Sequence, residues 1–147
     1  SILWFTKGTE YKFNLDAVRV PVKYPNKKHF KGPKIGQLSS NPLGKNPGDV
    51  WDITNVKAMH PEKTEHPCQF PVALIERLIL SLTDSDDLVL DPYVGSGTTL
   101  VAAALHGRKS LGIEIQEKYF QICIDRIENL HAGNLKSVSI SQMKRKK

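Results

Sequence analysis

A chain of 147 residues with 39% hydrophobic side chains suffices for one ordinary domain, or a piece of a larger one, and wholesale disorder is excluded. Two cysteines far apart, Cys68 and Cys123, exclude a disulfide framework and a paired-cysteine metal site, and no apolar run reaches the length of a membrane span. The net charge is +6, and between Ala17 and Gly48 every charged residue is basic, which points away from basic partners and toward anionic ones. With no signal-peptide pattern at the amino terminus, a reducing cytosol is the expected compartment.

In chain order, "ILWFT" predicts a buried strand within residues 1–9. It has no lead-in, and a lone strand needs an edge partner, so further sequence is expected before it. Residues 10–57 follow, rich in Pro, Gly, Asn and Lys and without a sustained period. A loop this long in a compact domain is usually functional or disordered. Lys23, Lys27, Lys28, Lys31 and Lys34 lie among Tyr24, His29 and Phe30. One-sign charge interleaved with aromatics suits a polyanion, because each Lys that meets a phosphate releases a counterion. A solvated lysine-rich loop is the plainer alternative. Trp51 and Ile53 are expected to pin the far end of this region.

Residues 58–130 are orderly. "HPCQFP" is an extended, proline-bounded lead into "VALIERLILSLT", whose Leu74, Ile75, Leu78, Ile79 and Leu82 fall at helical spacing. "DSDD" reads as a turn and "LVLD" as a short buried strand. "GSGTTLVAAALH" opens a second helix that stops at Gly107. "KSLGIEI" predicts another strand and "EKYFQICIDRIENL" an amphipathic helix. Helix–strand–helix–strand–helix is the alternation of an α/β layer with a parallel sheet. Residues 131–147, ending in "MKRKK", read as a basic, flexible tail.

The stretch "DPYVGSGTTL" carries the chemistry. Gly95 and Gly97 leave a strand and open a helix, so they permit a tight turn and close approach of a ligand to the backbone. Helix N-terminal amides there face an anion or a polar group. Glu114 ends the next strand, roughly 20 residues on, where an acid accepts hydrogen bonds from ribose hydroxyls. The third glycine of the dinucleotide fingerprint is replaced by Leu100, and no Gly-Lys-Ser/Thr of a P-loop follows. Both absences favour a nucleoside cofactor without a pyrophosphate. A small nicotinamide-binding domain remains an alternative.

The combination "HPCQFP…LVLDPYVGSGTTLVAA…GRKSLGIEI…YFQICIDRI" resembles the S-adenosylmethionine-dependent DNA amino-methyltransferases, in particular the permuted subgroup with its cofactor motifs at the carboxyl end. The resemblance implies part of a Rossmann-like methyltransferase fold, a parallel sheet with flanking helices plus a long irregular recognition loop. It also implies the cofactor S-adenosyl-L-methionine and double-stranded DNA as partner. Asp91, Gly95, Ser96 and Gly97 would wrap the methionine and ribose, in a loop that includes Tyr93. Thr98 would open the helix beside it, Glu114 would hold the ribose hydroxyls and Ile115 would lie against the adenine. His66, Pro67 and Gln69 would form the opposite wall. Alone, His66 would read as a surface or helix-entrance residue. Relatives often carry Lys where this chain has Phe70, so a charge contact is expected to be absent.

The family activates an exocyclic amine with Asp or Asn followed by Pro-Pro and an aromatic, and that tetrapeptide is not in this sequence. No catalytic residue is therefore assigned. The resemblance implies the carboxyl-terminal half of an enzyme that methylates adenine N6 or cytosine N4, in restriction–modification, with the missing half in the same or a separate chain. A non-catalytic accessory subunit or an inactive fragment is the alternative.

Overall fold

The computed structural model describes residues 1–142, which fall into two compact units, one over Ser1–Trp51 and one from Asp52 onward. The "MKRKK" of the expected tail lies outside the described residues. The break comes at Trp51, a few residues before the boundary expected at 57. No described helix is long and apolar enough to cross a membrane.

In the first unit the only helical piece described is a 3₁₀ turn, Leu15–Val18. The rest is held by isolated pairings: Val20 with Lys45 and Lys28 with Leu38, both antiparallel, and His29 with Ile35. The predicted strand at residues 1–9 is not formed, and Ile2, Leu3, Trp4 and Phe5 are exposed. A strand needs a neighbour for its amides and carbonyls, and none is present among the described residues. Trp4 instead meets Tyr11 edge-on at 4.8 Å and stacks on Phe13 at 5.7 Å. Arg19 donates to the Asp16 carboxylate, to Gly44 O and to Asn46 Oδ1, so this cation is committed to its own unit. Trp51 likewise donates to Gly48 O, within the same unit.

The second unit follows the predicted alternation: α1 (Val72–Leu82), β1 (Leu88–Asp91), α2 (Thr98–Leu105), β2 (Lys109–Gly112) and α3 (Glu117–His131). Strand β2 ends at Gly112, three residues before the end of the "KSLGIEI" run. The strands pair in parallel, Leu88 with Lys109 through Asp91 with Gly112. One sheet face packs on helices around Val72, Ile79, Val101, Ala102 and Ala103. The small side chains of α2 let it lie close to the sheet. At Gly112 an added Cβ would stand 2.8 Å from Val94 and 2.9 Å from Leu100. Leu88, Leu90, Leu111 and Ile113 stay exposed, each more than half accessible.

The buried face of α1 differs from the one its periodicity suggests. Val72, Ala73, Glu76 and Ile79 are buried, while Leu74, Ile75 and Leu78 are only partly so. Glu76 is drawn in because its carboxylate accepts from Ser139 Oγ and Ile140 N, and meets His106 Nε2 at 2.9 Å. Glu62, also buried, accepts from Val72 N at the start of α1 and from Val138 N. Buried carboxylates are tolerated here because backbone amides satisfy their oxygens. The same bonds tie Val138 to Glu62 and residues 139–140 to α1, so this part of the expected flexible tail is docked.

Candidate functional site

The predicted cofactor residues gather in the second unit, where the loop after β1 turns into α2. Asp91 ends β1 and shapes the loop with both oxygens, accepting from Tyr93 N at 3.0 Å and from Thr99 Oγ1. Gly95 and Gly97 have φ of 53° and 78°, the left-handed region where a side chain costs energy. Gly97 is the N-cap of α2, and no side chain caps that helix. Its first amides therefore remain available to a polar ligand.

Glu114 closes the loop from beyond β2. Its Oε2 accepts from Gly95 N at 3.0 Å and its Oε1 from Gln116 N at 2.8 Å. Each oxygen keeps acceptor capacity, since an ionised carboxylate takes about four hydrogen bonds. His66 stands against the same glycine: a Cβ on Gly95 would lie 2.9 Å from His66 Nε2. The ring meets Tyr119 edge-on at 4.4 Å, and Nδ1 accepts from Cys68 N at 3.2 Å. That bond leaves the neutral ring's proton on Nε2, the atom facing the loop. Burial pulls the His66 pKa below its usual value, opposed by the Glu114 carboxylate and aided by Lys63.

Behind the loop sits Arg126. Its Nη1 donates to Ser96 O at 2.7 Å and to Thr98 Oγ1 at 3.0 Å. Thr98 Oγ1 in turn donates to Phe70 O, joining α2 to the 62–70 loop. Arg126 is buried, and its Nη2 has no partner among the described residues. Burial lowers its pKa, countered by Glu62. Cys123 lies under Gly97, and burial raises its thiol pKa, which makes it a packing group and not a nucleophile.

His66, Asp91, Gly95, Ser96, Gly97, Thr98 and Glu114 are thus linked in one constellation. Pro67, Tyr93 and Ile115 are exposed, the last two at 90% and 95%. Gln69 behaves differently from the others. It is buried, its Nε2 donates to Glu62 O and its Oε1 accepts from Thr64 N and Oγ1, so its amide is consumed inside its own loop. Sequence reasoning passed over Thr99, Tyr119, Cys123 and Arg126. The last three recur at i, i+4 and i+7 on α3, a spacing that marks one helix face and could have singled them out. Lys23, Lys27, Lys28, Lys31 and Lys34 belong to the first unit and are all exposed. No cluster of metal-ligating side chains occurs among the described residues.

The cradle fits a nucleoside cofactor on its own geometry. A side chain at Gly95 would press on His66 across it, an uncapped helix start opens beside it, and a carboxylate with spare acceptors stands just beyond β2. Comparison with known proteins points the same way. The sequence model of one family, described as DNA methylase, matches residues 1–125. The chain is 51% identical over 143 residues to the type II methyltransferase M.BglII of Bacillus subtilis, covering 94% of this chain and 40% of that protein. It is 49% identical over 132 residues to the type II methyltransferase M.ScaI of Streptomyces caespitosus, covering 86% and 42%. A DNA adenine methyltransferase, YhdJ of Escherichia coli, is 34% identical over 147 residues, covering 99% and 49%. The chain spans less than half the length of each of these relatives.

Proposed function

The chain belongs to the DNA methylase family, and on that premise we propose that it carries the S-adenosylmethionine site and the target-recognition region of an enzyme that methylates an exocyclic amine in DNA. The observation that carries this reading is the Glu114–Gly95 closure of a glycine loop between β1 and an uncapped α2. When bound, the cofactor supplies an electrophilic methyl group on a sulfonium. Glu114 accepts the ribose hydroxyls with the lone pairs that the Gly95 and Gln116 amides leave free. Gly95 and Gly97 keep the backbone bare, and Asp91 holds the turn that presents it. His66 walls the opposite side, with Pro67, Tyr93 and Ile115 on the rim. Gln69, assigned by resemblance to the cofactor, is better read as the brace that keeps the 62–70 loop in shape.

Methyl transfer to an amine whose lone pair is delocalised into the base needs acceptors for the amine's hydrogens. Asp/Asn-Pro-Pro-aromatic would provide them, and these 147 residues do not contain it. The catalytic loop must then be supplied by residues outside them, in the same or another chain. The open apolar sheet face at Leu88, Leu90 and Leu111 supports such a complement. Adenine N6 is the preferred target, on the name of the Escherichia coli relative. A restriction–modification role in the cytoplasm fits the type II relatives.

Two measurements test this reading. Calorimetric titration with S-adenosylmethionine is expected to show saturable binding, while NAD shows none; binding of NAD alone would reverse the cofactor assignment. Neutralising Lys27, Lys28 and Lys31 together is expected to lower affinity for double-stranded DNA. Each lysine that meets a phosphate should flatten the slope of log affinity against log salt by about one. An unchanged slope returns that stretch to a solvated loop.

A further inference from the structure

Beside the lysines, the first unit holds an open cleft of about 560 Å³ lined by Lys23, Tyr24, Pro25, Asn26, Lys27 and Phe30. Tyr24 and Phe30 are 61% and 80% exposed, although aromatic rings normally contribute most by burial. The rings stand on a braced scaffold. Lys27 N donates to Tyr24 O across a turn, and Ser39 donates to Lys27 O through both its amide and its hydroxyl. His29 and Gly36 close the stem above them, His29 N to Gln37 O and Gly36 N to His29 O, each at 3.0 Å. Lys23 Nζ lies 5.3 Å from the Tyr24 ring centroid, a cation–π contact that helps hold the ring.

We infer that the Tyr24–Phe30 cleft receives a nucleobase that is out of its pair, stacked on these rings while the flanking phosphates meet Lys23 and Lys27. Three observations converge on that occupant. The cleft is apolar and larger than a base. Its rim is cationic, in a region where every charged residue from Ala17 to Gly48 is basic, so an apolar protein segment without negative charge matches it less well. Every base has a π-face, and stacking on aromatics beside a basic rim is how unpaired nucleic acid is held. The inference rests on the DNA reading above and adds a base-contacting pair to what was only a phosphate-contacting stretch.

The test is equilibrium binding of the full chain to mixed-sequence duplexes with and without one unpaired, bulged base, across a salt series. The wild type is expected to prefer the bulged duplex. Tyr24→Ala and Phe30→Ala should each weaken binding to it by about ten-fold while leaving the salt slope unchanged. Tyr24→Phe should keep the wild-type affinity, because it keeps the ring. Lys27→Ala should also weaken binding, to both duplexes alike, and, unlike the aromatic variants, flatten the slope. A Tyr24→Ala/Phe30→Ala double variant that binds the bulged duplex like wild type overturns the inference and leaves the DNA reading standing. Wild type that binds neither duplex overturns both.

Discussion

Glu114→Ala is expected to weaken S-adenosylmethionine binding by about 10- to 100-fold. Hydrogen bonds to a charged acceptor contribute about 1.5–3 kcal/mol each, and every 1.4 kcal/mol is a factor of ten. The carboxylate has two jobs in this structure, and the experiment has to separate them. One is to accept the ribose hydroxyls. The other is internal, since Oε2 holds Gly95 N and Oε1 holds Gln116 N. Glu114→Ala therefore also frees two loop amides. Glu114→Gln is the companion variant: it keeps one carbonyl acceptor and the side-chain shape but loses the charge. Calorimetry and thermal unfolding on both variants divide the effects. Loss of affinity in Glu114→Gln at near-wild-type stability assigns the charge to the ligand. Unchanged affinity in both variants would remove Glu114 from the ribose role.

Gly97→Ala is expected to destabilise the second unit by roughly 2–5 kcal/mol, combining left-handed strain with overpacking. The added methyl would sit 2.6 Å from Cys123 Sγ and 3.2 Å from the Cys123 Cα, so neither a rotamer change nor a small shift relieves it. Gly107→Ala is the internal control. Its φ of +68° is similar, but nothing lies within 4 Å of the new carbon, so only the strain of about 1–2 kcal/mol is expected. The difference between the two denaturation midpoints isolates the contact with α3. Adding Cys123→Ala to Gly97→Ala should recover part of the loss, because the sulfur goes while the backbone contact stays. Equal midpoints for Gly97→Ala and Gly107→Ala would mean that α3 yields at little cost and that Gly97 is needed only for its turn.

These two residues also mark how far the sequence could be read. The glycine loop at Gly97 and its closing acid Glu114 were legible because the alternation of strand, glycine loop, helix, strand and acid is a local pattern, set by backbone freedom and periodicity along one stretch of chain. The parallel pairing of β1 with β2 and the order of all five elements follow from the same patterns. That Gly97 must stay bare because of Cys123, or that Arg126 grips Ser96 and Thr98, depends on where α3 lies, which no local pattern states. Gln69 makes the same point in the other direction. Its motif suggested a ligand contact, but the fold spends its amide on Glu62 and Thr64.

What the sequence determined by itself, then, is the α/β order from residue 72 onward, the glycine loop with its acid, the one-sign charge of the lysine-rich region and the absence of an amine-activating tetrapeptide. Tertiary structure decided the rest. The apolar "ILWFT" run has strand propensity, but hydrogen-bonding partners are long-range, and here Ile2–Phe5 stay open beside a Trp4–Tyr11–Phe13 cluster. The buried side of α1 includes Glu76, whose partners Ser139 and Ile140 lie far along the chain. Burial is decided by what an element finally packs against, and periodicity can propose a face without knowing that neighbour.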